Sequence, residues 1–111
     1  MNNAQIDRLL SSIPPKTEPR HLKRVQGYAT TARRIDARIS ALRGELERAL
    51  RAVDDAVDTG TGGQAADKAL ELARELDSLE RVQPRVDSWL RVAVGAVADD
   101  PGLEPFGEGP A

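Results

Sequence analysis

The sequence predicts an all-α protein: a long antiparallel helical hairpin, coiled-coil-like, with a short N-terminal helix packing near its open end and an extended Pro/Gly-rich C-terminal tail. Three observations predict it. Apolar residues recur at helical spacing in three segments, proline and glycine separate those segments, and no stretch alternates apolar and polar residues as a half-buried strand does. Composition agrees. The chain has 111 residues, 40% of them hydrophobic but only 3% aromatic, with Tyr28, Trp89 and Phe106 the whole aromatic set. An aromatic ring buries roughly 150–250 Å², so a chain this poor in rings suits a thin helical seam of Ala, Leu, Val and Ile better than a deep core.

The first element is short. Ile6, Leu9, Leu10 and Ile13 fall at i, i+3, i+4 and i+7, one stripe of a helix over about 4–13. Asn2 or Asn3 can cap it, and Ile13 is pushed out of helical geometry by Pro14. A helix under about 12 residues does not hold alone in water, so this one must pack on something.

The second element spans about 19–58, with Pro19 at a first-turn position where its missing N–H costs little. Val25, Ala32, Ile39, Leu46 and Val53 repeat every seven residues; call this position a. His21, Tyr28, Ile35, Leu42, Ala49 and Ala56 form the companion position d. A sustained a/d repeat is the pattern of supercoiled helix pairing, and the helix would run roughly 60 Å at 1.5 Å per residue.

The third element spans about 65–98 and carries the same repeat. Ala69, Leu76, Gln83, Leu90 and Val97 occupy a; Ala65, Leu72, Leu79, Val86 and Ala93 occupy d. Gln83 is the polar break, and Pro84 beside it removes a backbone hydrogen bond and favours a bend. A turn centred near Gly60 and Thr61 would oppose residues whose numbers sum to 121 or 122. Leu46 then faces Leu76 and Leu42 faces Leu79, seam against seam. Residues 1–98 read as one helical domain and 99–111 as the tail, whose Pro101, Gly102, Pro105, Gly107, Gly109 and Pro110 exclude regular structure.

Towards the open end the apolar surface broadens beyond what two helices cover, taking in Leu22, Ala29, Val82, Trp89, Val92, Val94 and Ala96. That surplus receives the short helix or another chain. Leu22, Trp89, Val92 and Val94 are therefore candidate partner contacts, joined by Leu103 and Phe106, the sizeable apolar groups of the tail. Charge is polarised under a net value of −2. Between Lys16 and Arg43 stand eight cations and two acids, and between Gly44 and Glu80 four cations and ten acids. The basic end offers Arg20, Lys23, Arg24, Arg33, Arg34 and Arg38 to phosphates or to an acidic partner.

Catalytic patterns fail one by one. The absence of cysteine removes disulfides, thiolate metal sites and thiol catalysis. Thr59-Gly60-Thr61-Gly62-Gly63 lacks the phosphate-loop spacing and its preceding strand. His21 sits among Arg20, Lys23 and Arg24, a poor place for a cation, and the clustered glutamates fall mostly off the seam. The expectation is a non-catalytic interaction or assembly protein with no cofactor and no metal, meeting a protein partner or itself as a homo-oligomer. The alternative is a nucleic-acid-binding accessory protein using the Arg20–Arg43 surface. Neither a leader nor a membrane-spanning run is evident, which suggests a cytoplasmic protein. The 13 Arg against 3 Lys suggest a GC-rich bacterial or phage coding sequence.

Overall fold

The computed structural model describes residues 1–57, 60 and 62–99, with side chains through residue 97. It is all-α: α1 is Asn3–Leu10, α2 is Pro19–Ala56 and α3 is Gly62–Asp99. The two long helices pack against each other as a hairpin, and there is no strand among the described residues.

Local chemistry explains each end. The Asn2 side chain accepts from the Gln5 N–H while the Gln5 side chain accepts from the Asn2 N–H, a reciprocal cap at 2.9 Å each way. α1 stops at Leu10, three residues short of the stripe's last member. The Ser11 and Ser12 hydroxyls donate to the Arg8 and Leu9 carbonyls, and Ile13 N–H bonds only three residues back, a tightened last turn before Pro14. Pro19 opens α2, and the Glu18 carbonyl accepts from the Leu22 N–H at 3.1 Å. In the turn, Gly60 adopts φ +76, a left-handed conformation that disfavours side chains. α3 begins at Gly62, earlier than the apolar pattern alone suggests, and continues through Pro84.

The contacts fall into two compact units. Unit 1 combines Met1–Asp36 with α3 from Gln83 onward; unit 2 is Ala37–Val82. On α3 the division falls in the turn that carries Pro84.

Every predicted a and d position of both helices is buried or half-buried. Their register differs from the expected one. In unit 2, Arg38 forks onto Glu75 at 3.0 and 3.1 Å, and Arg43 reaches Glu80 at 3.4 Å. These residue numbers sum to 113 and 123. In unit 1, the Tyr28 and Trp89 rings lie 6.3 Å apart and Gln83 Nε2 donates to Asp36 Oδ1 at 3.4 Å, with sums of 117 and 119. Both units centre on 118. A centre of 121 or 122 would stretch the Arg38–Glu75 fork along eight or nine residues of rise, roughly 13 Å. A centre of 118 leaves each ion pair about five residues apart, within reach of arginine and glutamate.

The corrected register opposes a to d, so Leu42 faces Leu76 and Leu46 faces Leu72 in unit 2, and Val25 faces Ala93 and Ala32 faces Val86 in unit 1. It also gives the polar Gln83 a site beside Asp36, which accounts for an amide in an apolar seam.

In unit 1 the core is Ile6 with Val25, Ala29, Ala32, Val86, Leu90, Ala93, Val94 and Val97. Ala29 and Val94 follow d residues, at position e. They are buried because α1 lies over that flank, with Leu9, Leu10 and Ile13 packed at the margin. Arg33 ties α1 down by binding the Asp7 carboxylate and, at 3.1 Å, Asn3 Oδ1. Asp87, also at e, accepts from the Met1 ammonium at 2.7 Å.

Register is testable by disulfide formation. The pair Leu42→Cys with Leu76→Cys should oxidise faster than Leu42→Cys with Leu79→Cys, measured as crosslinked monomer under mild oxidant. The reverse order would restore the register centred on 121 or 122.

Candidate interaction surfaces

In unit 1 the seam has two flanks, and α1 covers only the e side. Trp89 stands at g, just before the a residue Leu90, and Val92 at c. Both are open to solvent, with 46% and 50% of their surface exposed. The Trp89 ring leans on Tyr28 at an interplanar angle of 55°, so its apolar face is held rather than swinging free. Leu22 is half-buried. Val94 is a correction: it is 2% exposed and belongs to the core under α1. Its neighbours in sequence misled, because Val92 and Val94 lie some 200° apart around a helix. Leu103 and Phe106 lie outside the described residues.

The basic end is less available than its sequence implies. Arg20 binds Glu18 at 2.9 Å, Arg33 binds Asp7 and Asn3, and Arg38 forks onto Glu75. Lys23 and Arg34 are exposed and Arg24 is half-buried. An arginine held by a carboxylate presents little net field to a phosphate at a distance. Arg20, Arg33 and Arg38 are thus already matched to carboxylates within the chain.

Unit 2 carries a feature that the sequence reading missed. An open apolar groove of about 360 Å³ lies between Leu46, Leu50 and Val53 of α2 and Ala66, Ala69, Leu70 and Ala73 of α3. Its walls are the a residues Leu46, Val53 and Ala69, the e residues Leu50, Ala66 and Ala73, and Leu70 at b. Leu50 and Leu70 are 51% and 50% exposed. The signal was present: two leucines off the a/d repeat beside a run of alanines too small to fill the space.

His21 is 1% exposed, and both ring nitrogens lack a hydrogen-bond partner; the nearest carboxylate oxygen, of Glu18, is 3.8 Å from Nε2. The corrected register sets it opposite Val97, in apolar company. Among the described residues, no three His, Asp or Glu side chains gather as metal ligands, and no helix is long and apolar enough to cross a membrane. Compared with known proteins, the chain matches no family model, no curated protein and no solved structure.

A buried ring with two unmatched nitrogens costs stability, about 1–3 kcal/mol for a neutral polar group. His21→Leu should therefore raise the urea midpoint or leave it unchanged. A loss above about 1 kcal/mol would show that the imidazole contributes a bond of its own.

Proposed function

We propose that this chain is a non-catalytic helical interaction protein that assembles with other polypeptide, a second copy of itself included, through the uncovered flank of unit 1. The observation that carries this reading is Trp89. A tryptophan with nearly half its surface in water, propped by Tyr28 and followed by exposed Val92, leaves a large apolar area unsatisfied. Aromatic residues of this kind anchor interfaces, where a rigid ring desolvates much area for little loss of side-chain freedom. The other flank of the same unit has already been closed by α1, so the exposed one is the surface left for a partner.

The matched arginines favour protein contact over phosphate contact at the basic end. Arg20, Arg33 and Arg38 would each have to leave a carboxylate before meeting a nucleic-acid backbone.

Sedimentation velocity tests the reading. At high micromolar concentration the wild type should sediment as an oligomer and Trp89→Glu as a smaller species with unchanged helical circular dichroism. A wild type that remains monomeric at that concentration contradicts self-association through this flank.

A further inference from the structure

We infer that the groove of unit 2 is a second docking site, and that its occupant is a short amphipathic helix of a partner protein with cationic residues flanking its apolar stripe. The inference deepens the interaction reading above by adding a site and a partner class, and it stands on different residues.

The shape argues for a helix. The floor extends from Leu46 to Val53 on α2 and from Ala66 to Ala73 on α3, about 11 Å along each helix at 1.5 Å per residue. That length matches two turns. The chain itself shows what fits such a place. In unit 1 the e residues Ala29 and Val94 are covered by α1, whose Ile6, Leu9 and Leu10 recur at i, i+3 and i+4. In unit 2 the e residues Leu50, Ala66 and Ala73 have the same place beside the seam, and a groove lies where unit 1 has a helix. Alanine at two of those three positions keeps the floor low enough for a helix to approach closely.

Charge selects the kind of helix. The polar residues at b and e around the groove are Arg43, Glu47, Asp54, Asp77 and Glu80. Arg43 and Glu80 pair with each other at 3.4 Å. The other three are carboxylates. Asp54 has no ion pair among the described residues, while Glu47 and Asp77 are held only by Arg51 and Arg81 four residues along their own helices. Such exposed pairs contribute little, so a docking cation can take over either carboxylate at little cost. A second copy presenting the same groove would bring Glu47, Asp54 and Asp77 against their own kind, which disfavours groove-to-groove pairing. A basic helix meets no such conflict.

The test uses the full chain and two fluorescein-labelled synthetic peptides. Both carry leucine or isoleucine at i, i+3, i+4 and i+7; one has lysine at the flanking positions and its twin has glutamate. In fluorescence anisotropy the lysine peptide should bind saturably and at least about tenfold more tightly than its twin, and added salt should weaken it. Leu50→Lys and Leu70→Lys should each weaken it by at least about tenfold. Both side chains are half-exposed, so helical circular dichroism should hold and mark the loss as local. Trp89→Glu should leave the affinity unchanged, which separates this site from the unit 1 flank whatever that flank does. Equal binding of the two peptides, no saturable binding, or binding indifferent to Leu70→Lys overturns the inference. So does a wild-type oligomer that Leu70→Lys dissociates, since a second copy would then own the groove.

Discussion

The structure depends on one contact repeated along its length: the interdigitation of a residues on one long helix with d residues on the other. Neither helix has a deep core to lean on, and with three aromatic residues in the chain there is no other source of apolar bulk. Burial at the seam falls on Val25, Ala32, Ile39 and Leu42 from α2 and on Leu72, Leu76, Val86, Leu90 and Val97 from α3. Removing such side chains from water contributes roughly 1.5–3 kcal/mol each for the larger ones. The ion pairs beside the seam, Arg38 with Glu75 and Arg43 with Glu80, are exposed and add little energy. Their value lies in register, because together they bracket it, one pair about five residues to either side of the centre.

What distinguishes the two units is α1. Eight residues are too few to form a stable helix alone. Docked on the e flank of unit 1, they bury Ile6 completely and close over Ala29 and Val94. Unit 2 has no such cover, and its alanines leave a groove with half-exposed Leu50 and Leu70. Both candidate surfaces follow from this asymmetry. The g flank of unit 1, with Trp89, is uncovered because α1 can close one side only; the e flank of unit 2 is uncovered because α1 is used elsewhere.

The hairpin and all its seam positions were legible in the sequence, because a seven-residue repeat has one structural meaning over this length. The register was not. A repeat with steps of three and four accepts both a-to-a and a-to-d pairing, and the choice rests on the turn. Centring the turn on Gly60 and Thr61 ignored that α3 starts at Gly62, which moves the centre by half a repeat. Val94 was misplaced for a related reason: a broad apolar surface names its members without saying which of them a third helix will bury. The arginines at 20, 33 and 38 read as free because their partners Glu18, Asp7 and Glu75 include two that are distant in sequence. Leu50 and Leu70 were legible as leucines off the repeat, yet only the packed alanines around them turn that oddity into a groove.

The central claim is that the seam closes within one chain. An isotope-filtered NOE experiment tests it most directly, using an equal mixture of methyl-labelled and unlabelled protein. Contacts between Leu46 and Leu72 methyls, and between Val25 and Ala93 methyls, should appear within the labelled chain and be absent between labelled and unlabelled chains. Contacts seen only between chains would contradict it, since the two long helices would then find their partners in separate molecules.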